Sequence, residues 1–532
     1  MPKKSTNSVW WREYRKKLYK PNVRNMSIGT VLRINFRKTF KEYLENCSFG
    51  GIQRIRKRGQ SKEQRTMRVL LFCTMLGTIT YYLQNLWFEN LARPMIVNME
   101  SSTYPISNIE FPAVTLCNFN RISKDSLEKL ILESKSMGNE SLAEVRTFWT
   151  QLGRLIDYSY NKSMQNHPSL HSFGSFLSNE RGIVETMETL APPCDKMLVR
   201  CAWAGQIVGC KSIFSVELTV RGHCCAFNLV VGDNKSDGRS RNNYTIKRQY
   251  QPGYLQGLNV ILDSMVEDYS YTTFNMFGFE VFIFDATHFA DPTSGSVIQR
   301  IAQPDQAAFF EIHATKQVAT KEVRKYPPAT RKCLFHDELQ DEFYDLYSYS
   351  ACIVRCRINT VKSLCKCTPY NFPYVSKRHP VCTIDHLRCL NKYKEKLFHL
   401  FPKDVINTEG LEAELQNALY CAECLPDCEM IRHYSKYSKI PLVYVANQHK
   451  EYSNFFFRDL NMSGKCLLSI YQATTDGVLN RLDIVMYWFE VVSNVGGFSG
   501  ILIGFSLINI LEFVYFFTFR FFLNLYRLYY HN

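Results

Sequence analysis

The sequence predicts an α+β membrane protein in which two transmembrane helices flank a large, disulfide-rich domain. Three observations lead to this fold class: two uncharged apolar runs near the ends of the 532-residue chain, a basic segment before the first run, and a concentration of cysteines between the two. A chain of this length can bury a sizeable core and holds one large domain or two to three ordinary ones.

The excess of positive charge lies at one end of the chain. The formal net charge is +15, and residues 1–68 contain 19 Lys and Arg against 4 Asp and Glu, whereas the rest of the chain has 45 of each. Because this segment precedes an apolar run, we interpret it as a determinant of topology beside anionic membrane lipid. Nucleic acid is therefore not an expected partner.

Two apolar runs have the length of membrane spans. Residues 69–88 (VLLFCTMLGTITYYLQNLWF) form a 20-residue run without formal charge, and residues 491–511 form a second of 21 residues. As a helix the second is about 31 Å long, which matches a hydrocarbon core of about 30 Å. A buried core helix is the alternative, and the flanking charge favours the membrane. No cleavable signal peptide precedes the first run, so we expect it to act as signal and anchor.

The positive-inside rule keeps the basic segment in the cytoplasm, and two spans return the C-terminus there. The predicted protein is a two-span protein of the plasma membrane. Its parts are a cytoplasmic segment (1–67), a first transmembrane helix (68–88), an extracellular cysteine-rich domain (89–483), a second transmembrane helix (484–517) and a short cytoplasmic tail (518–532).

The segment between the spans has the composition of an extracellular domain. It holds 17 of the 19 cysteines, as an oxidising compartment favours. Sequons for N-glycosylation in it are at Asn139, Asn161, Asn234, Asn243 and Asn461. Two further sequons, at Asn25 and Asn46, fall in the predicted cytoplasmic part and are expected to be silent.

Patterning in this domain predicts mixed α+β structure. Residues 111–121 alternate like a strand, and residues 212–230 and 273–289 are rich in Phe, Val and Ile, as strands are. Residues 122–163 have helix-like patterning with charged faces, which predicts an exposed helical layer.

Ten cysteines lie between residues 333 and 428. The C-x-x-C at residues 421–424 is compatible with zinc, but disulfides are favoured outside the cell. The C-x-C of Cys365 and Cys367 cannot easily close on itself, so each needs a distant partner. We therefore expect a ladder of bridges between two antiparallel segments, and hypothesise that this stiff rod transmits motion to the membrane.

Motifs of enzymes are not found in the sequence. It has no H-E-x-x-H, no phosphate-binding glycine loop, and no G-x-S-x-G at Ser499 or Ser506. We expect neither catalytic residues, nor a cofactor, nor a metal site.

One face of the second span is small and polar. On a helical wheel Glu490, Ser493, Gly497, Gly500 and Gly504 fall within an arc of roughly 80°. One interpretation is a close-packed helix interface, with a small-xxx-small run formed by residues 496, 500 and 504. The other is the lining of a pore, because small side chains expose backbone carbonyls to ions.

Acidic residues at the ends of the span favour the pore. Glu490 and Glu512 flank the apolar run, and a carboxylate near a membrane usually faces water or an ion pathway. A ring of glutamates attracts cations. Since two spans cannot enclose a pore, this interpretation also requires an oligomer.

Several motifs together resemble the degenerin/epithelial sodium channel family, and most closely its insect pickpocket-type branch. FPAVTLCN (111–118) resembles the segment after the family's first span, and GHCCAFN (222–228) its Gly-x-Cys-x-x-Phe-Asn motif. The cysteine spacing from residue 352 to 367 and CAECLPDC (421–428) resemble its cysteine-rich region. SNVGGFSGILIGFSLINILEF (493–513) is similar to its pore helix.

The resemblance implies a homo- or heterotrimeric, sodium-selective channel, gated through its ectodomain and with a sensory role. That ectodomain would have a β-sheet core with finger, thumb, knuckle and palm subdomains. Gly504, Phe505 and Ser506 fall on the family's selectivity filter. Ser493 falls on the position where a bulky side chain holds the channel open, and Glu512 on a pore-helix carboxylate below the filter.

The resemblance also bears on gating and on the cysteines. Of the family's His-Gly gating pair before the first span, this chain keeps only Gly51, with Gly50 in place of the histidine.

The disulfide pairs that the resemblance implies by position are Cys117–Cys224, Cys201–Cys210, Cys333–Cys428, Cys352–Cys424, Cys356–Cys421, Cys365–Cys389 and Cys367–Cys382. Cys194, Cys225 and Cys466 form an odd remainder, so at least one is free or intermolecular.

Two alternatives to a sodium channel subunit stay open at this point. One is a two-span, disulfide-rich receptor or adhesion protein whose glycine face only packs helices. The other is a different trimeric two-span channel, such as an ATP-gated one, which shares the topology but not the motifs above.

Overall fold

The computed structural model describes residues 27–48, 61–92, 94–134, 142–161, 180–230, 246–338, 346–372, 380–401, 407–442, 456–458 and 460–530. These residues belong to two units. The terminal unit joins the two ends of the chain (Met1–Ile96 and Ile484–Asn532), and the large domain is Val97–Asp483.

The terminal unit is helical. Its helices are α1 (Ile28–Asn46), α2 (Lys62–Ala92), α15 (Trp488–Ile503), α16 (Leu507–Tyr515) and α17 (Phe521–Tyr530), with a π-helical turn at Phe516–Arg520 between the last two. By length and composition, Lys62–Glu89 and Leu507–Leu528 could each cross a membrane.

The second apolar stretch has the length of a single membrane-spanning helix over residues 491–511, but it is not one continuous helix. It is broken after Ile503 because Gly504 takes a left-handed conformation, and helix resumes at Leu507. Helical structure then continues to Tyr530, within the segment predicted to be the tail (518–532). Arg520 and Arg527 are the only charged residues there, so little in the sequence opposes continuation of an apolar helix.

Fifteen strands lie in the described part of the chain. They are β1 (Met95–Pro105), β2 (Ala113–Asn118), β3 (Asn120–Ser123), β4 (Leu198–Trp203), β5 (Gln206–Val208), β6 (Phe214–Thr219), β7 (Gly222–Phe227), β8 (Leu258–Asp263), β9 (Tyr269–Thr272), β10 (Phe279–Phe284), β11 (Ile298–Ala302), β12 (Gln306–Ala319), β13 (Met430–Pro441), β14 (Lys465–Gln472) and β15 (Asp476–Ile484).

These strands form one large sheet and two smaller ones. The large sheet has the order β1-β15-β12-β14-β8-β4-β5, with β13 paired along the other edge of β12. A five-stranded sheet has the order β11-β10-β2-β7-β6, and β3 pairs with β9. The 14-residue β12 organises the large sheet, because β14 and β15 both run parallel to it while β13 is antiparallel.

The main core lies between the two larger sheets. Val114 and Leu116 of β2 pack in one cluster with Val281 of β10, Phe310 of β12 and Leu468 of β14. The alternate residues of β2 pack on its other face, so all six are buried. The strand expected at residues 111–121 is therefore present, but buried on both faces.

Twelve α-helices lie in the described part of the large domain, and several of them cover a second core. The first five are α3 (Lys124–Ser134), α4 (Leu142–Gln151), α5 (Arg154–Asp157), α6 (Glu180–Leu190) and α7 (Cys194–Met197). The remaining ones are α8 (Cys210–Ile213), α9 (Lys321–Arg324), α10 (Pro328–Arg331), α11 (Tyr349–Cys365), α12 (Leu387–Lys392), α13 (Lys394–Phe398) and α14 (Glu412–Gln416).

The helical layer expected to be exposed over residues 122–163 is exposed on one face only. Phe148, Trp149 and Leu152 are buried in a cluster that also contains Val361 and Leu390 from the cysteine-rich region. The prediction of an exposed layer was wrong for this face because aromatic side chains at helical spacing bury a large apolar area.

Eight disulfides brace the large domain. They are Cys117–Cys224, Cys194–Cys225, Cys201–Cys210, Cys333–Cys428, Cys352–Cys424, Cys356–Cys421, Cys365–Cys389 and Cys367–Cys382. Seven join the cysteines that the family resemblance pairs, and the eighth joins Cys194 to Cys225, which leaves Cys466 as a buried free thiol. Because both cysteines of the C-x-x-C at 421–424 are in disulfides, that motif does not hold zinc.

A buried ion pair fixes α11 to the domain. The guanidinium of Arg357 bonds Asp291 at 2.6 Å, and both side chains are fully buried. The same guanidinium donates to the carbonyl of Leu397 and to the hydroxyl of Thr293, each at 2.6 Å. Losing one partner of such a pair typically costs about 3–5 kcal/mol, because the other charge stays buried and unpaired.

Candidate functional site

A non-helical break lies in the middle of the second apolar stretch. Gly504 has φ +68° and ψ +31°, the left-handed conformation that glycine adopts without steric cost. Ser506 then has extended backbone angles and begins α16. The break thus comprises the three residues Gly504, Phe505 and Ser506, and all three are exposed within the chain.

The break leaves carbonyl oxygens at the end of α15. The N–H of Gly504 donates to the carbonyl of Gly500 at 3.0 Å, and the N–H of Phe505 donates to that of Ser499 at 3.3 Å. The last carbonyls of a helix have no donor within the helix, and its C-terminus carries a partial negative charge. Chemically, this end of α15 is suited to a cation.

Two hydrogen bonds join residues of the first turn after the break. The hydroxyl of Ser506 donates to Oδ1 of Asn509 at 2.6 Å, and the N–H of Asn509 donates to the carbonyl of Ser506. Asn509 is 4% exposed. This local pair gives α16 a defined first turn.

The small and polar face of α15 is open within the chain. Ser493 is exposed, and a Cβ placed on Gly496 or Gly497 would meet no atom within 4 Å. A Cβ on Gly500 would lie 3.6 Å from the carbonyl of Phe505. The open space beside this face can be filled by helices of other subunits or by a water-filled pathway.

A ring contact with α2 and a capping box at its first turn hold α15 in position. The ring of Phe498 stacks on Tyr82 of α2, with centroids 3.9 Å apart and planes 5° from parallel. Glu490 accepts the N–H of Tyr487 at 2.9 Å through Oε2, in a capping box at the start of the helix. One oxygen of the predicted pore carboxylate therefore has a structural role.

Glu512 contacts the N-terminal segment. Its Oε2 accepts the N–H of Ser48 at 2.9 Å, directly after α1. The predicted gating residue Gly51 lies outside the described residues, as does Gly50. No local pattern predicts this contact, since the partners are 464 positions apart.

A polar seam joins α1 to the C-terminal helical segment. Asn524 donates to the hydroxyl of Thr39 at 3.2 Å and to Glu42 at 3.1 Å, and Arg520 donates to Glu42 at 3.1 Å. The amide of Asn35 donates to the carbonyl of Phe521 at 2.9 Å. These residues could not be predicted, because single polar positions in a helix do not reveal their partners.

The comparison with protein families shows to which family the chain belongs. A model described as amiloride-sensitive sodium channel matches residues 43–516, which is most of the chain and includes both apolar stretches. The chain belongs to the amiloride-sensitive sodium channel family. This is a family of ion channels, so the prediction of a protein that is not an enzyme is confirmed.

Curated relatives agree with the family. The chain is 22% identical to pickpocket protein 28 of Drosophila melanogaster over 92% of this chain and 79% of that protein. It is 22% identical to sodium channel protein Nach of Drosophila melanogaster over 91% and 87% of the two chains. It is 21% identical to acid-sensing ion channel 1C of Danio rerio over 88% and 81%. The predicted resemblance to insect pickpocket-type members is confirmed.

Family membership and the two apolar helices point to a two-span channel of the plasma membrane. Of the predicted glycosylation sites, Asn161 and Asn461 are exposed, whereas Asn139, Asn234 and Asn243 lie outside the described residues.

Proposed function

We propose that the chain is one subunit of a trimeric, sodium-selective cation channel whose pathway passes the break at Gly504–Ser506. The single observation that carries this proposal is the left-handed Gly504, which ends α15 and leaves carbonyl oxygens beside a cation-attracting helix terminus. A helix that only packs against neighbours has no need of such a break.

In this proposal the residues have separate tasks. Gly504, Phe505 and Ser506 form the selectivity filter, Ser493 and the glycines at 497 and 500 line the gate, and Glu490 and Glu512 concentrate cations at the two ends. Sodium is the permeant ion, and related subunits are partners in a homo- or heterotrimer, because two spans per chain cannot enclose a pore. Both termini are cytoplasmic, and the disulfide-braced domain receives the stimulus of a sensory channel outside the cell.

Electrophysiology tests the proposal. The chain is expressed in oocytes alone and with related subunits, surface protein is measured, and currents are recorded with sodium or potassium outside. We expect a cation current that favours sodium and that increases in Ser493→Val. If surface protein gives no current in any combination and Ser493→Val changes nothing, a receptor or adhesion protein without a pore of its own replaces the channel.

A further inference from the structure

Helix α1 has an apolar stripe that stays exposed within the chain. Four large apolar side chains recur at every fourth position, and so lie along one side of the helix: Ile28, Leu32, Phe36 and Phe40. Their exposed fractions range from 40% to 80%. The rings of Phe36 and Phe40 contact that of Phe517, with centroids 5.7 and 6.4 Å away. This contact leaves much of the stripe open.

The sides of α1 on either side of the stripe are polar in different ways. Asn35 and Thr39 are fully buried on the side that forms the seam with the C-terminal helical segment. Arg33 and Arg37 lie on the other side of the stripe, at about 100° per residue, and are exposed. Neither arginine is in an ion pair with a described residue. Around the helix, a buried polar side, an apolar side and a basic side therefore follow one another.

Contacts of α1 place it where an apolar helix ends in charge. The helix Leu507–Leu528 is long and apolar enough to cross a membrane, and the seam joins α1 to its second half. Arg520 is the first charged residue after Glu512, and its Nε donates to Oε2 of Glu42 in α1 at 3.1 Å. An arginine near the end of a span extends its guanidinium to the lipid headgroups. The exposed stripe therefore lies at the boundary between acyl chains and headgroups.

Lipid suits the stripe and the arginines together. A helix that lies in the membrane interface has a continuous apolar side and basic residues on its polar side, and anionic headgroups pair with those residues. A second copy of the terminal unit is less suited, because carboxylates near α1 are already bonded: Glu42 by Arg520 and Glu512 by Ser48. The bilayer offers the arginines anions that a neighbouring subunit does not.

We propose that α1 lies in the interface of the cytoplasmic leaflet, with its stripe among the acyl chains and Arg33 and Arg37 on anionic headgroups. The charge of residues 1–68 predicts an anionic surface in general, whereas the stripe identifies the face that meets it. This inference rests on the two-span topology of the proposed channel, but not on conduction. Because the seam joins α1 to the segment after the proposed filter, the lipids of this leaflet act on that segment.

Photo-crosslinking from lipid to the full-length protein tests this placement. The protein is reconstituted into vesicles of roughly three parts phosphatidylcholine to one part phosphatidylserine, with a trace of either lipid carrying a diazirine in its acyl chain. After illumination and digestion with pepsin, labelled peptides are quantified by mass spectrometry. We expect both probes to label the stripe. The phosphatidylserine probe should label it about fivefold more, the equivalent of about 1 kcal/mol for a basic residue beside anionic lipid.

Two double variants separate the apolar side from the basic side. Ile28→Gln with Leu32→Gln should lower the label from both probes several-fold, because amides replace apolar side chains in the acyl region. Arg33→Gln with Arg37→Gln should leave the phosphatidylcholine label in place and remove the preference for phosphatidylserine.

The matched control is Lys62→Gln with Arg65→Gln, which removes two exposed charges from α2 in the same basic segment. It should leave the labelling of α1 unchanged. Label on the apolar run of α2, which is exposed within the chain, shows in each sample that the probes reach the protein.

The proposal is overturned if α2 is labelled and the stripe is not, which would mean that another subunit covers the stripe. It is also overturned if Arg33→Gln with Arg37→Gln keeps the preference for phosphatidylserine, or if the control variant loses that preference equally. None of these results depends on whether the protein conducts sodium.

Discussion

Oε2 of Glu512 accepts a hydrogen bond from the backbone N–H of Ser48 at 2.9 Å. The two residues belong to opposite ends of the chain, and each lies directly beside an element of functional interest. Ser48 precedes the segment with Gly51, and Glu512 follows the proposed filter by six residues. The contact is therefore a physical link by which the N-terminal segment and the second apolar stretch can influence each other.

Replacing Glu512 should release Ser48. A hydrogen bond to a carboxylate is typically worth about 1.5–3 kcal/mol, and exposure of Ser48 reduces this toward 1 kcal/mol. In Glu512→Ala we expect amide hydrogen exchange at Ser48 to rise about fivefold. Glu512→Gln keeps an acceptor oxygen and should give a smaller rise. Equal exchange in all three proteins would show that the contact does not hold the N-terminal segment.

A side chain at Gly504 should damage selectivity. Alanine in the left-handed conformation costs about 1–2 kcal/mol, which shifts the backbone of the break toward other conformations about tenfold. We expect Gly504→Ala to lower the sodium-to-potassium permeability ratio, measured by reversal potentials. Gly496→Ala is the control, since the added Cβ meets nothing within 4 Å and its φ is not in the left-handed region. If the sodium-to-potassium permeability ratio is unchanged in Gly504→Ala, the break is not part of the selectivity filter.

The seam between α1 and the C-terminal segment should hold α1 in place. Asn524→Ala removes donors to Thr39 and Glu42, and leaves the fully buried hydroxyl of Thr39 without this partner. The lost hydrogen bonds are worth about 1–2 kcal/mol, so we expect amide hydrogen exchange in α1 to become about tenfold faster. Mass spectrometry measures this exchange. Asn46→Ala, at the exposed end of α1 with a local bond only, should not change it. If hydrogen exchange in α1 is equally fast in Asn524→Ala and Asn46→Ala, the seam does not stabilise α1.

Some structural features could be predicted from the amino-acid composition of single segments. An uncharged run of 20 residues reveals a membrane helix, and 17 cysteines in one segment reveal a disulfide framework. Such features depend on neighbouring residues, which a single sequence displays.

Other features depend on distant residues and could not be predicted. No local pattern shows that Cys194 joins Cys225, or that Ser48 meets Glu512. The burial of β2 on both faces follows from the tertiary layers, not from its own alternation. The same holds for Trp149, whose helix has a charged face and yet packs in a core. In each case tertiary packing decides among structures that the local sequence allows.

Acid should destabilise the large domain through His433. Burial lowers the pKa of this histidine to about 4, against 6.5 when unfolded. As the pH falls below 6.5, His433 binds a proton in the unfolded chain before it does so in the folded chain. The free energy of unfolding is therefore highest above pH 6.5 and decreases until the pH reaches about 4. We expect His433→Gln to reduce the loss between about pH 7 and pH 5 by about 1–2 kcal/mol, measured by chemical unfolding at both values.

The control for this effect is His399→Gln, which alters an exposed histidine. His288 acts in the opposite direction: burial lowers its pKa, but Asp427 and Asp285 raise it above 6.5, so its contribution is present below 6.5 and is lost as pH rises. Only the difference between variants therefore isolates His433. A pH profile identical to that of the unaltered protein would contradict the lowered pKa of His433, a residue that is half-buried.

Glycan mapping should decide the topology of the chain. Asn461 is exposed in the large domain and lies in a sequon, and Asn46 lies in a sequon at the end of α1. Since glycans are added only on the lumenal side, Asn461→Gln should lose one glycan, seen as an increase in gel mobility that equals one step of partial deglycosylation. Asn46→Gln should migrate as the unaltered protein does. The opposite pattern would place the basic end of the chain outside the cell, and the cation-attracting carboxylate of Glu512 would then belong to the outer end of the pathway.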